Sequence, residues 1–292
     1  MAFIRYLPMK SILDKLYTGT SETLIDDIID VYQENGSCVI DFIYFANIVS
    51  QKLFESNKNY PKKVKGNCWM YPSGAPISIF KEYKQSLLKA DFLLPDGIAL
   101  QVYYFLANIF KVIDSSKKRL DNLNGTDFIP YFLQEIKKKY GNQKICLLLY
   151  GSTEYGIQKA SEHIAYKGYN VIHYQHGYKD FEREKVNEVL EDYQDTINIL
   201  LIGMTMPTIP IQELWTKQNF QRIQDAKLLV FNAGGFFDRW AGLQKRPPKW
   251  VRTIKCERLW RLISQPKRNA KKVRNSLKIF PYIFRYLILK KE

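Results

Sequence analysis

The chain has 292 residues, 46% of them hydrophobic and 14% aromatic, which is enough to bury a full core and excludes a disordered or fibrous protein. Its formal net charge is +15, and residues 245–292 hold 16 Lys and Arg against 2 Asp and Glu, so nearly all the excess charge lies there. The four cysteines form no Cys-x-x-Cys pair. This argues against a disulfide framework or a structural zinc site and fits a reducing, cytoplasmic compartment.

No stretch reaches the roughly 18 to 20 uninterrupted apolar residues of a membrane-spanning helix. The N-terminal residues are interrupted by charges and lack the apolar region of a signal peptide. The most apolar segment, IFPYIFRYLIL (279–289), is short and contains Pro281 and Arg285. We expect it to pack on the protein body or to lie in a membrane interface.

The first half of the chain contains two predicted helices and one predicted strand. SETLIDDIIDVYQE (21–34) opens with a Ser-Glu-Thr cap signal and has apolar residues at helical spacing. ADFLLPDG (90–97) is typical of a short buried strand, and the apolar helix IALQVYYFLANIF (98–110) follows it. The polar segment 55–67 is predicted to be a loop.

From residue 144 onward the pattern alternates regularly between strand and helix. Apolar strand-like runs occupy residues 144–152, 169–177, 197–204 and 226–235. Between them, helical spacing occupies residues 156–168, 181–194 and 210–224. This alternation predicts an α/β fold with a Rossmann-like parallel sheet flanked by helices. We expect residues 1–244 to form the α/β domain and residues 245–292 a basic helical appendage.

Ligands of open parallel sheets bind beyond the carboxyl ends of the strands. Here those positions are Asp96-Gly97, Gly151-Ser152, residues 203–207 and residues 232–238. Glycine recurs at each of them. The glycines either let the backbone approach a ligand or simply end the strands, and the sequence leaves both readings open.

Several common chemistries are disfavoured by missing motifs. No strand is followed by the dinucleotide pattern G-x-G-x-x-G, and GSTEYGIQ (151–158) lacks the Lys-Ser or Lys-Thr of a P-loop. His173 and His176 lie three residues apart in a strand-like run and should point to opposite faces, so a shared metal is not expected. No Gly-x-Ser-x-Gly nucleophile elbow is present. We therefore expect neither a cofactor nor a metal.

Asp96 is a carboxylate at a strand end with glycine beside it, so it is either a turn former or a catalytic base. Sugar transfer from a nucleotide diphosphate needs a base for the acceptor hydroxyl and a cation for the departing diphosphate. The chain has no Asp-x-Asp pair to hold a metal, but arginine can replace the metal because its guanidinium matches phosphate oxygens. The arginines available in the basic segment are Arg246, Arg252, Arg258, Arg261, Arg268 and Arg274.

Taken together, these stretches resemble the WecG/TagA/CpsF family of glycosyltransferases. The resemblance is carried by ADFLLPDGIAL, NGTDFIPYFLQEI, KICLLLYGSTEYGIQKA, ILLIGM followed by PIQELW, VFNAGGFFDRWAG and RPPKWVRTIKCERLWRLISQPKR. These pieces follow the family's order from about residue 90 to residue 268. The resemblance implies inverting transfer from a UDP-sugar to a polyprenyl-diphosphate-linked saccharide during assembly of a bacterial capsule, exopolysaccharide, teichoic acid or common antigen.

The resemblance also implies roles for individual residues. Asp96 would be the general base, and residues 1–244 would be the catalytic domain. The appendage would close over the site, contact the diphosphate and help to hold the enzyme on an anionic membrane surface at the inner face of the cytoplasmic membrane. The residues implied to bind substrate are Gly97, Gly125, Asp127, Gln212, Glu213, Gly234, Gly235, Asp238, Arg246, Arg252, Arg258, Arg261 and Arg268.

The chain departs from the family pattern at three places. Asn122 stands where the family usually has an arginine, and Arg119 is the nearest substitute. Thr205 replaces a glycine, and about three extra residues precede Gln212. Where the family often has a Thr-x-Asn loop facing the base, this chain has YPSGAP, so Ser73 is the predicted second catalytic residue.

The basic segment has three readings: a solvated face, a nucleic-acid patch, or a site for lipid and diphosphate. No nucleic-acid recognition motif accompanies it, so a nucleic-acid partner is disfavoured. Trp250 and Trp260 among the charges instead predict a packed helix. Donor sugars used in the family include N-acetylmannosamine, its uronic acid, glucose and galactose. The sequence leaves the donor, a homo-oligomeric state and a non-catalytic scaffold role in polysaccharide assembly open.

Overall fold

The structure is a computed structural model that describes residues 9–44, 76–117, 119–204, 211–243, 248 and 260. The predicted loop at 55–67 and nearly all of the basic segment 245–292 therefore lie outside the described residues. The division into a catalytic domain and a basic appendage remains a prediction for the same reason.

A single sheet of six parallel strands forms the centre of the described part of the chain, in the order β2-β1-β6-β5-β3-β4. The strands are β1 (Cys38–Tyr44), β2 (Phe92–Asp96), β3 (Ile145–Gly151), β4 (Asn170–Gln175), β5 (Ile197–Gly203) and β6 (Leu229–Asn232). The predicted α/β, Rossmann-like parallel sheet is thereby confirmed. The predicted strands at 90–97, 144–152, 169–177, 197–204 and 226–235 all appear, with shorter bounds.

Helices pack on both faces of this sheet. They are α1 (Met9–Lys15), α2 (Ser21–Asn35), α3 (Pro76–Lys89), α4 (Ile98–Ile109), α5 (Gly125–Tyr140), α6 (Glu154–Tyr166), α7 (Arg183–Glu191), α8 (Ile211–Gln218), α9 (Phe220–Asp225) and α10 (Phe236–Trp240). Alternate strand residues point to opposite faces. One face packs against α2, α5, α6 and α10, and the other packs against α1, α3, α4, α7, α8 and α9.

Strand β1 lies inside the sheet between β2 and β6, although the sequence did not predict it. Its apolar run, CVIDFIY, is interrupted by the charged residue Asp41. Ile40 and Phe42 join the core on one face, whereas Val39 and Ile43 join the core on the other. Asp41 therefore lies on the second face among buried apolar residues, where it is only 1% exposed.

Two helix boundaries differ from the sequence prediction. The cap of α2 is Thr20 and not Ser21: the Thr20 hydroxyl accepts from the Thr23 amide, and the Thr23 hydroxyl accepts from the Thr20 amide. The helix predicted at 210–224 is two helices, which separate at Asn219. The Asn219 side chain donates to the Trp215 carbonyl, which also accepts from the Asn219 amide, and it accepts from Arg222.

Candidate active site

Asp96 ends strand β2, at the carboxyl edge of the sheet where ligands of parallel folds bind. The next residue, Gly97, has a φ of 89° and donates its amide hydrogen to Asn122 Oδ1 at 2.9 Å. The Leu123 amide donates to the Pro95 carbonyl at 3.0 Å. Asn122 therefore holds the turn that carries Asp96.

The first turn of α5 adjoins this corner. Asn124 caps the helix, because its Oδ1 accepts from the Asp127 amide at 3.0 Å while its Nδ2 donates to Asp127 Oδ2 at 3.0 Å. A Cβ on Gly125 would lie 3.1 Å from the Phe42 ring. Gly125 and Asp127 thus secure the start of α5 against β1, next to the turn that carries Asp96. Whether they also contact substrate stays a prediction.

Glycines at three neighbouring strand ends pack backbone against backbone. A Cβ on Gly151, at the end of β3, would overlap the carbonyl group of Gly203, at the end of β5. A Cβ on Gly203 would overlap the Phe237 ring of α10 and lie 3.1 Å from the Gly234 carbonyl oxygen. For Gly151 and Gly203, the absence of a side chain is thus required by the close approach of the strand ends.

Successive strands are added to opposite sides of the sheet from β3 and from β5, although all the strands are parallel. Strand β3 leads to β4 on one side, whereas β5 leads to β6 on the other, so a ligand crevice is expected at their carboxyl ends. Ser152 lies there with a φ of 57°, and its amide donates to the Gly203 carbonyl at 3.0 Å. Its hydroxyl donates to Asp238 Oδ1 at 3.3 Å. Ser152 was absent from the predicted site residues, although its position after the β3 glycine marked it.

Arg239 is a second residue that the sequence did not single out. Its Nη1 donates to Thr126 Oγ1 at 2.7 Å, and the Thr126 hydroxyl donates to Asn124 Oδ1 at 2.7 Å. Helix α10 is thereby joined to the first turn of α5. The contact brings a guanidinium group to the same edge of the sheet as Asp238, and its position in the glycine-rich run after β6 was the available signal.

Gln212 and Glu213 begin α8 and are each 5% exposed. The Gln212 carboxamide oxygen accepts from the Gly234 amide at 3.0 Å, and its Nε2 lies 3.2 Å from the Asn232 carbonyl and 3.1 Å from Glu213 Oε1. Gln212 thus holds the turn after β6 that leads through Gly234 and Gly235 to Asp238. The predicted role of these residues in substrate binding stays a prediction.

Asp41 and Glu213 form a buried pair of carboxyl groups beneath this turn. Asp41 Oδ2 accepts from Asn232 Nδ2 at 2.9 Å, and Asp41 Oδ1 accepts from the Phe42 amide at 2.8 Å. Burial raises the pKa of Asp41 above the ordinary carboxyl range. Burial also raises the pKa of Glu213, and the nearby Asp41 charge raises it further.

The remaining predicted site residues lie outside the described part of the chain. They are Ser73, Arg246, Arg252, Arg258, Arg261 and Arg268. Within the described residues, no group of three or more His, Cys, Asp or Glu side chains could hold a metal ion. No helix in that part of the chain is long and apolar enough to span a membrane.

The profile of the "Glycosyl transferase WecG/TagA/CpsF family" matches residues 78–292. The chain belongs to this family. This membership confirms the resemblance that its strand-end motifs predicted. A relative from Bacillus spizizenii, named N-acetylglucosaminyldiphosphoundecaprenol N-acetyl-beta-D-mannosaminyltransferase, is 25% identical over 188 residues. The matched part covers 64% of this chain and 65% of the relative.

Proposed function

We propose that this protein is a glycosyltransferase that moves a sugar from a UDP-sugar, with inversion, to a polyprenyl-diphosphate-linked saccharide during bacterial surface polysaccharide assembly. The relative's name describes a transfer of N-acetylmannosamine to a diphosphoundecaprenol-linked N-acetylglucosamine. The structural observation that carries the proposal is the position of Asp96 at the carboxyl end of β2, on a turn held by Asn122.

In this mechanism the Asp96 carboxylate takes the proton of the acceptor hydroxyl. The acceptor oxygen forms a bond to the anomeric carbon from the face opposite the nucleotide, while the bond between that carbon and the diphosphate oxygen breaks. The electron pair leaves with UDP, which is a weak base and needs no general acid. A single displacement of this kind inverts the anomeric configuration.

We assign the donor to the crevice that the strand order predicts between β3 and β5. Ser152 and Asp238 offer polar groups there, and Arg239 brings a positive charge to the same edge of the sheet. Guanidinium groups bind diphosphate oxygens in paired hydrogen bonds and need no metal. Arg246, Arg252, Arg258, Arg261 and Arg268 are proposed to complete this charge, and Ser73 to assist Asp96 on the acceptor side.

The proposal extends to where the enzyme works. Its acceptor is a membrane lipid, and residues 245–292 are strongly basic, so we place it as a peripheral protein on the inner face of the cytoplasmic membrane. The apolar segment 279–289 would add to the attachment.

A donor panel tests the proposal. The full-length protein is incubated with UDP-linked N-acetylmannosamine, N-acetylmannosaminuronic acid, glucose or galactose, together with a polyprenyl-diphosphate-linked N-acetylglucosamine, and UDP release is measured. We expect acceptor-dependent release with one donor and no loss of activity in EDTA. Loss of activity in EDTA would refute metal-independent transfer. No release with any donor would favour the non-catalytic scaffold.

A further inference from the structure

We propose that Glu213 carries one buried proton and acts as a positioning residue, which together with Asp41 and Gln212 fixes the turn that presents Asp238 to the donor. The idea rests on the proposed function, because it assigns the donor to the edge of the sheet where that turn lies. The residues concerned come from β1, α8 and β6, which the fold brings together beneath the crevice.

The hydrogen bonds indicate which carboxyl group holds the proton. Both oxygens of Asp41 accept hydrogen bonds, from Phe42 and from Asn232, which suits an ionised carboxylate. Glu213 Oε1 accepts from Gln212, but Glu213 Oε2 is buried and has no hydrogen-bond partner among the described residues. A charged oxygen without a partner would be costly there, so the proton belongs on Glu213.

The surroundings of the pair supply no opposing charge within the described residues. Across the sheet Asp41 aligns with Leu93 on β2, and β6 contributes the neutral Asn232. Helix α8 contributes Gln212 and Thr216, and the Thr216 hydroxyl lies 2.9 Å from Asn232 Oδ1. The charge that acts on Glu213 is that of Asp41, so ionisation of Glu213 would bury two like charges.

Three charged groups on the surrounding elements, Lys89, Lys217 and Asp91, make contacts elsewhere. Helix α3, which packs on α8, contributes the buried Tyr83. Its Lys89 lies over the Phe220 ring, and Lys217 of α8 donates to Gln85. At the start of β1, Asp91 accepts from the Val39 amide. Lys15 acts on Asp91 and not on Asp41.

The protonation of Glu213 affects the donor edge of the sheet through the side chain of Gln212. Gln212 Nε2 is held between Glu213 Oε1 and the Asn232 carbonyl, which aims Gln212 Oε1 at the Gly234 amide. Loss of the proton would favour entry of water or rotation of the buried side chains to relieve the repulsion. The Gly234 amide would then lose a fixed acceptor, and the turn leading to Asp238 would become less ordered.

The decisive variant is Glu213→Gln, which keeps the shape, stays neutral at every pH and can still accept from Gln212. The matched control is Glu188→Gln on the exposed side of α7. Hydrogen–deuterium exchange of the peptide covering residues 233–240 is measured in the full-length proteins between about pH 6 and about pH 9 and corrected for intrinsic exchange. The donor KM is measured over the same range.

We expect wild type and Glu188→Gln to lose protection in this peptide as the pH rises. Their donor KM should rise by up to about tenfold per pH unit above the point of ionisation. Glu213→Gln should keep both quantities constant. A Glu213→Gln profile that follows wild type would overturn the proposal.

Two features keep the result decisive. If Glu213→Gln does not fold, the wild-type exchange profile alone decides: unchanged protection of residues 233–240 across the pH range contradicts the proposal. Exchange also needs no donor or acceptor. Failure of sugar transfer would therefore count against the proposed function, while the exchange data would still judge the role of Glu213.

Discussion

Asp96, the proposed catalytic base, is positioned by its neighbours in the chain and in space. It is the last residue of β2, and Gly97 turns the chain away at once with a φ of 89°. Asn122 Oδ1 accepts a hydrogen bond from the Gly97 amide, so the turn is held by a side chain from a different part of the chain. The turn-forming and catalytic readings of Asp96 are therefore compatible, because the same turn serves both.

Replacement of Asp96 by asparagine should remove the base with little change in shape. We expect kcat to fall by about 10²- to 10⁴-fold, whereas UDP binding stays near the wild-type value. Steady-state kinetics and calorimetric titration with UDP measure the two effects. Asp192→Asn, at an exposed position after α7, is the control. A wild-type rate for Asp96→Asn would exclude Asp96 as the base.

The Asp41–Glu213 pair should also affect stability. The folded state raises the pKa of both groups, so between the ordinary carboxyl range near pH 4 and their raised values it binds more protons than the unfolded state. Their contribution is full below the unfolded pKa and is lost as the pH rises through the folded pKa. The free energy of unfolding should fall as the pH rises, and less steeply in Glu213→Gln than in Glu188→Gln. Urea denaturation at several pH values measures both slopes, and equal slopes would contradict the prediction.

At the scale of elements, the carboxyl ends of β3, β5 and β6 meet more closely than side chains would permit. The Phe237 ring of α10 occupies the space that a Cβ on residue 203 would need. Phe237 is 1% exposed and belongs to the hydrophobic core on the α10 face of the sheet. The position of α10, and of Asp238 within it, depends on this contact.

Substitution of Gly203 by alanine should destabilise the protein by about 1 to 3 kcal/mol, because the added methyl group overpacks the contact with Phe237. Gly235→Ala is a matched control, since its φ is −79° and a Cβ there would have no heavy atom within 4 Å. It should change stability by less than about 0.5 kcal/mol. Denaturant unfolding of both variants measures the difference, and equal stabilities would show that the strand ends can separate at little cost.

At the scale of the whole molecule, the charge is divided between two parts of the chain. Residues 1–244 are nearly neutral, with 28 Lys and Arg against 27 Asp and Glu, whereas residues 245–292 are strongly basic. Each basic side chain near an anionic leaflet contributes on the order of 1 kcal/mol to membrane binding. The proposed lipid acceptor gives this charge a second anionic partner besides the donor diphosphate.

Truncation after Gln265 should abolish binding to anionic vesicles, because it removes the apolar segment 279–289 and many of the basic residues. Binding of the full-length protein should weaken at high salt, since ions screen exposed charges. Co-sedimentation with anionic vesicles measures both effects, and uncharged vesicles serve as the control. Equal binding of the truncated and full-length proteins would exclude this segment as the anchor.

Local pattern was sufficient for much of the fold and for part of the candidate site. The strands β3, β4, β5 and β6 are apolar runs separated by helical spacing, and their carboxyl-end glycines marked the edge of the sheet on which the site is proposed. Asp96 and Asp238 were predicted as site residues in this way, and the family recognised from the same motifs is confirmed. Periodicity depends only on near neighbours, so one sequence contains this information.

Tertiary structure decided the features that depend on distant residues. Strand β1 was not predicted because the charged Asp41 interrupts its apolar run. The Asp41 carboxylate can be buried there because it accepts a hydrogen bond from Asn232, which lies 191 positions away. The pairing of Arg239 with Thr126 spans 113 positions. The sequence left open whether the glycine at position 203 serves ligand approach or only ends the strand. The structure shows that it is required by close packing against the Phe237 ring. Such contacts form only when the sheet assembles, because strand order and register bring together residues that no local pattern relates.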